Sequence, residues 1–227
     1  MNNKSSTEIV QSLVLKAKKA QSIFENFNQN QVDEIVTAVA WAICKPSNNE
    51  KISNLAVDIT GLGNADDKIL KNRRKTLGLL RDLKEIKTVG IINEDKEKGI
   101  IEIAKPVGVV AAVTPSTNPA ATPINNIINA LKTRNSIIVS PSPAGSKVFI
   151  DLLVLINIEL NKVGAPKNLI QTFDCDVTKE LTNELMENVD LVIVTGSLNN
   201  VKKAAKSGSK AIGVGQGNVT SIVDETA

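Results

Sequence analysis

Histidine is absent from these 227 residues. That excludes every catalytic triad built on an imidazole base and removes most zinc sites. Cysteine is scarce: Cys44 and Cys175 lie far apart in sequence, make no disulfide framework and favour a reducing cytoplasm. No segment has the length and apolarity of a membrane span, and the first ten residues, MNNKSSTEIV, have no signal-peptide core. A net charge of +3 is too small to argue for a nucleic-acid partner. No repeat period stands out, which argues against a solenoid. What remains is 42% hydrophobic and 22% charged. That is ordinary for a soluble globular protein, here long enough for one large domain or two small ones.

The first third has helical periodicity. Ser5-x-x-Glu8 reads as a capping box, and Ile9, Leu13, Ala17, Ala20, Phe24 and Phe27 recur at steps of three and four. Val32, Ile35, Val36, Val39 and Ile43 repeat the pattern until Pro46 stops it, with Trp41 expected in the core. Ser47-x-x-Glu50 offers a second box, Gly61 a C-terminal stop, and Asn64 a cap for a fourth helix with Asp66 and Asp67 in its first turn. Residues 88–93 and 99–103 flank a polar loop and predict a β-hairpin.

From residue 105 the chain alternates between strand and helix. Residues 107–113 form an apolar, β-branched run suited to a strand buried on both faces. Thr114-Pro115-Ser116-Thr117-Asn118-Pro119 breaks it, a helix follows to about residue 134, and residues 136–139 read as the next buried strand. Further strands are expected at 169–173, 191–194, 211–214 and 221–223, with helices at 147–163, 178–188 and 198–206. This alternation predicts an α/β fold with a doubly wound parallel sheet. The boundaries expected are a helical layer at 1–87, the hairpin at 88–104 and a dinucleotide-binding unit at 105–227.

Ligands in such sheets lie at the carboxyl ends of the strands, where the turn at 114–119 and Ser140-Pro141-Ser142-Pro143 should sit. Thr195-Gly196-Ser197 follows a strand and opens a helix. The unpaired N–H groups of a helix N-terminus, approached through a glycine, suit a pyrophosphate, although the same turn occurs for purely structural reasons. Gly213-Val214-Gly215-Gln216-Gly217-Asn218 is Gly-rich, but its third glycine comes one residue too early for a dinucleotide fingerprint. Asn118 is either a cap for the following helix or a side-chain donor to a developing oxyanion. Lys71, Arg73, Arg74 and Lys75 form either a solvated helix end or an anion contact. Cys44, at the end of an apolar helix, reads as a small core residue. Cys175 lies between Asp174 and Asp176, which disfavour a thiolate.

KPVGVVAAVTPSTNP, ALKTRNSIIVSPSP, VTGS and AIGVGQGN together resemble the aldehyde dehydrogenase superfamily, in its coenzyme A-acylating branch. TGLGNADDKILKNRRKTLGLLRDL is similar to the acylating sulfoacetaldehyde dehydrogenases. The resemblance runs from about residue 28 to the last residue and covers the N-terminal part of such an enzyme. The family's nucleophilic cysteine lies beyond Ala227, and neither Cys44 nor Cys175 stands in its motif. The resemblance implies NAD or NADP as cofactor, coenzyme A as co-substrate and a small aldehyde, sulfoacetaldehyde, as substrate. It implies a homo-oligomer in which the hairpin is an association arm. It places Thr114, Pro115 and Ser116, then Ser140, Pro141 and Ser142, then Thr195, Gly196 and Ser197, and finally Gly213, Val214 and Gly215 around the cofactor. Gly213 falls opposite the glutamate that activates water in hydrolytic members, which suits release of the acyl group to a thiol. Ser140 stands where many hydrolytic members carry lysine, leaving NAD and NADP both open. An ungapped alignment sets Thr117, one residue before Asn118, opposite the family's oxyanion asparagine. The rival reading is a shortened, non-catalytic nucleotide-binding or subunit-interaction protein.

Overall fold

The computed structural model describes residues 5–215, 217 and 220–226. Four helices come first: α1 (Ser6–Phe24), α2 (Gln29–Cys44), α3 (Pro46–Thr60) and α4 (Ala65–Leu83). The box at Ser5 and Glu8 forms in both directions, and Asn64 caps α4 through Asp67 N–H. Gly61 ends α3 with φ 65°. The expected box at Ser47 and Glu50 does not form, because α3 begins earlier. Pro46 takes its first position, where a fixed φ suits the helix and the missing N–H costs nothing.

The hairpin pairs β1 (Gly90–Asp95) with β2 (Ile100–Ala104) antiparallel, and it stands apart from the main sheet. The main sheet contains β3 (Val109–Thr114), β4 (Ser136–Pro141), β5 (Ile170–Gln171), β6 (Leu191–Thr195) and β7 (Lys210–Val214). Its order is β5-β4-β3-β6-β7 and every neighbouring pair is parallel. Helices α5 (Ala121–Lys132), α6 (Ser146–Lys162), α7 (Lys179–Glu187) and α8 (Leu198–Lys206) connect the strands.

Strand alternation divides the core in two. Val110, Ala112, Ile137 and Val139 face α2, α3, α5 and α6, with Ile35, Ile124 and Phe149 fully buried among them. Val109, Ala111, Val113 and Ile138 face the other way, onto Val10, Val14 and Ala17 of α1 and Leu181 and Leu185 of α7. Helices α1 and α2 therefore cover opposite faces of the sheet. Each large side chain buried in this way is worth roughly 1.5–3 kcal/mol.

Three expectations fail. Trp41 is 51% exposed, because it shares a solvent stripe with Glu34 and Thr37 while Val32, Ile35, Val39 and Ile43 line the buried stripe. Residues 221–223 form no strand among the described residues; Ile222 and Val223 are exposed and have no ladder to join. The strand at 169–173 shrinks to Ile170–Gln171, since only those two residues pair with β4.

Candidate active site

The order in which successive strands are added to the sheet reverses at β3. The connection through α5 leads to β4 on one side, and β6 joins on the other. A crevice opens at the carboxyl ends of these strands, as the switch in strand order requires. It holds a cavity of about 520 Å³. Thr114, Pro115 and Ser116 line it from β3, Ser140, Pro141 and Ser142 from β4, and Thr195, Gly196 and Ser197 from β6. Three segments far apart in sequence thus meet at one site.

Each segment is held by local hydrogen bonds. Ser197 Oγ accepts from Asn200 N–H at 3.3 Å and caps α8, whose first turn opens toward the cavity. A Cβ built on Gly196 meets no protein atom within 4 Å, so the space in front of it is free for a ligand. Ser142 Oγ accepts from Gly145 N–H at 3.2 Å. Ser140 is buried; its Oγ lies 2.9 Å from Thr182 Oγ1, whose proton goes to the Thr178 carbonyl. Ser140 is therefore the donor of that pair. Thr114 Oγ1 is buried with no partner. A phosphate or hydroxyl oxygen in the cavity would supply one, and the N-terminus of α8 and the open face of Gly196 fit a dinucleotide in the same way.

Gly213 and Val214 are in β7, opposite Val194 and Thr195, and do not line the cavity. A Cβ on Gly213 would stand 2.6 Å from Val201 Cγ1, so glycine here lets α8 pack onto β7. Val214 accepts from Gly196 N–H at 3.1 Å and braces the 195–197 turn. Gly215 follows the strand; Gln216 and Asn218 lie outside the described residues.

A second cavity, of about 270 Å³, adjoins the first and shares Thr195 with it. Asn118 lines it; Thr117 is exposed and lines neither. The capping role for Asn118 is excluded, since α5 starts from Ala120 without a side-chain cap. Instead Asn118 Oδ1 accepts from Lys71 Nζ. That bond leaves the amide Nδ2 as a donor at the cavity. Lys71 is thus no solvated helix end, although Arg73, Arg74 and Lys75 are exposed.

Sequence reasoning missed Lys179, Thr182, Asn183 and Lys203, which line the larger cavity from α7 and α8. No motif marks them. Only the crossing of the two helices brings Lys203 Nζ within 3.3 Å of Asn183 Oδ1. Among the described residues no group of three or more His, Cys, Asp or Glu side chains could hold a metal ion, and no helix is long and apolar enough to cross a membrane.

The two thiols are poorly poised. Burial pushes Cys44 up, only partly offset by Arg73. Cys175 is exposed, but desolvation and the charges of Asp174 and Asp176 raise it too. A raised pKa lowers the thiolate fraction near neutrality. Alkylation of Cys175 by iodoacetamide is expected to be slow at pH 7 and to accelerate only above the ordinary thiol value of about 8.5. Reaction at pH 7 as fast as that of free cysteine would contradict this electrostatic picture.

Comparison with known proteins agrees with this geometry. The family model for the aldehyde dehydrogenase family matches residues 2–226. The chain belongs to the aldehyde dehydrogenase family. It is 53% identical to the acylating sulfoacetaldehyde dehydrogenase of Cupriavidus necator, over 97% of this chain and 45% of that protein. It is 44% identical to the acetylating succinate-semialdehyde dehydrogenase of Clostridium kluyveri, over 95% and 47%. The chain therefore spans about half the length of these curated relatives. Among solved structures, an acetylating aldehyde dehydrogenase from Geobacillus thermoglucosidasius superposes with a TM-score of 0.89 at 39% identity, covering 94% of this chain and 47% of that one. A Rhodopseudomonas palustris propionaldehyde dehydrogenase with bound CoA and an acylated cysteine gives 0.78 at 32% identity, over 90% and 46%. An engineered glycolyl-CoA reductase with bound NADP+ gives 0.80 at 32%, over 92% and 47%.

Proposed function

We propose that this chain is the cofactor-binding part of an NAD(P)-dependent, coenzyme A-acylating aldehyde dehydrogenase that oxidises a small aldehyde, sulfoacetaldehyde, to its acyl-CoA. The observation that carries the reading is the meeting of the 114–116, 140–142 and 195–197 segments around one cavity that shares Thr195 with the Asn118 cavity. The cofactor, when bound, supplies the acceptor for a hydride. The protein's part is to hold it. The α8 N-terminus and Gly196 receive the pyrophosphate, Ser140 and Ser142 lie beside the adenine ribose, and Thr114 to Ser116 flank the path toward the nicotinamide. Asn118 Nδ2 donates to the oxygen that becomes negatively charged as the aldehyde carbonyl is attacked, and Lys71 holds the amide in that orientation.

Neither thiol lies in either cavity. The isolated 227-residue chain is therefore expected to bind NAD(P)H but to show no turnover. NAD(P)H formation should be assayed with sulfoacetaldehyde, acetaldehyde and succinate semialdehyde, each with coenzyme A. Turnover that vanishes in Cys175→Ser would show that the exposed thiol is the nucleophile after all, and absence of NAD(P)H binding would sink the cofactor assignment.

The proposal includes self-association through the hairpin. Ile91, Ile92, Ile100, Ile101 and Ile103 are each 44–57% exposed on its two strands, and its unpaired edges invite another chain. Light scattering should report a dimer or larger species, or a poorly soluble chain. A clean monomer at high concentration would count against the arm.

A further inference from the structure

We infer that the larger cavity selects a dinucleotide with a phosphate on its adenine ribose, and that Lys179 and Lys203 make the choice. The inference rests on the dehydrogenase reading above and deepens it: the cofactor is NADP rather than NAD.

A bare ribose and a phosphorylated one need opposite partners. A carboxylate reads the 2′-hydroxyl of NAD by accepting its proton, whereas the 2′-phosphate of NADP offers only acceptor oxygens and negative charge, and so needs cationic donors. Among the described residues no Asp or Glu lines this cavity, but Lys179 and Lys203 both do. Neither lysine takes part in an ion pair among the described residues. Asp176 and Glu180, the acids nearest Lys179 in sequence, are exposed and do not line the cavity. A carboxylate-free crevice with two uncompensated ammonium groups disfavours the unphosphorylated cofactor as much as it favours the phosphorylated one.

Geometry puts these cations at the ribose end. Lys179, Thr182 and Asn183 stand at i, i+3 and i+4 on one face of α7, and all three line the cavity. Thr182 fixes that face, because its Oγ1 lies 2.9 Å from Ser140 Oγ at the end of β4, beside the proposed place of the ribose. Asn183 Oδ1 accepts from Lys203 Nζ at 3.3 Å, which holds the α8 lysine against α7 and leaves it N–H donors for a ligand. Lys203 is half-buried, so water screens its charge less than on an open surface. Lys179 opens α7, where the partial positive charge of the helix N-terminus adds to its own. Ser142 Oγ accepts from Gly145 N–H and keeps its hydroxyl proton to donate. Thr114 Oγ1, 3% exposed and without a partner on the same cavity wall, independently marks the crevice as one that a ligand completes.

Coenzyme A also carries a phosphate on an adenine ribose, at the 3′ oxygen, so the test separates the two sources. The 227-residue chain is titrated by calorimetry with NADPH, NADH, 2′,5′-ADP, 3′,5′-ADP and 5′-AMP. NADPH should bind about tenfold or more tighter than NADH, and 2′,5′-ADP tighter than 3′,5′-ADP or 5′-AMP. Lys179→Gln and Lys203→Gln should each lower the NADPH-to-NADH affinity ratio, the double variant should abolish the preference, and Lys179→Arg should keep it. Lys179 is exposed, so its replacement leaves the core intact, and far-UV circular dichroism checks the Lys203 variant. Equal affinity for NADPH and NADH overturns the inference and leaves the dehydrogenase reading standing. An unchanged ratio in the double variant overturns it as well, as does 3′,5′-ADP binding tighter than 2′,5′-ADP, which assigns the lysines to coenzyme A. If 2′,5′-ADP binds and neither dinucleotide does, the phosphate site stands and the dehydrogenase reading falls. Binding of none of the five removes both.

Discussion

Gly196→Val is expected to weaken NAD(P)H binding by about a hundredfold, equivalent to ~2.7 kcal/mol, because its side chain enters the space the pyrophosphate needs. No protein atom lies within 4 Å of a Cβ at this position, so any obstruction is of the ligand. Ser197→Ala should do far less to binding. It removes one hydrogen bond, worth about 0.5–1.5 kcal/mol to a neutral partner and more to a charged one. The same change removes the cap of α8 and should cost about 0.5–2 kcal/mol of stability. The two variants therefore separate in opposite ways, one in affinity and the other mainly in unfolding midpoint. Calorimetric titration gives the affinities, and far-UV circular dichroism with thermal melts reports folding, which matters because Gly196 has φ 159°. Equal NAD(P)H affinity for folded Gly196→Val and the parent would move the pyrophosphate elsewhere.

Gly108→Ala should destabilise the fold by about 3 kcal/mol without touching either cavity. Gly108 has φ 130°, and a Cβ there would stand 2.3 Å from Asp190 Oδ2. The carboxylate is close for a reason: it accepts from Val109 N–H at 2.8 Å, while Asn135 Oδ1 accepts from Val107 and Gly108 N–H at 2.6 and 2.9 Å. Together they position the start of β3, the strand that carries Thr114 to the site. Asp190→Ala should cost about 1.5–3 kcal/mol through the lost charge-assisted bond. If the clash is the cause, Gly108→Ala will cost less in the Asp190→Ala background than in the parent. Urea denaturation of all four proteins measures the coupling. Strict additivity would show that backbone strain alone explains the effect.

The helices, the hairpin and the parallel sheet were legible because their signals are local. Period and caps placed α1 and α4, Gly61 marked the end of α3, and the charge-free run before Thr114 could only be a strand covered on both faces. Propensity also let the chain mislead. Ser47 and Glu50 have the spacing of a capping box, but Pro46 had already begun the helix. Trp41 is apolar, but its place in the 3.6-residue period set it on the solvent stripe.

The three cofactor segments could be named from residue type and family resemblance. That they share one cavity depends on strand order, which no local signal carries. Only packing between distant elements put α1 and α2 on opposite sheet faces and crossed α7 with α8 to bring Lys179 and Lys203 to the cavity. The same holds for Asn118. From the sequence it was equally a cap or an oxyanion donor, because both uses need only an amide at the start of a helix. Lys71 lies 47 residues earlier, and its bond to Asn118 Oδ1 decides between them. A contact across that separation is set by how α4 docks on α5, and docking is a property of the whole core.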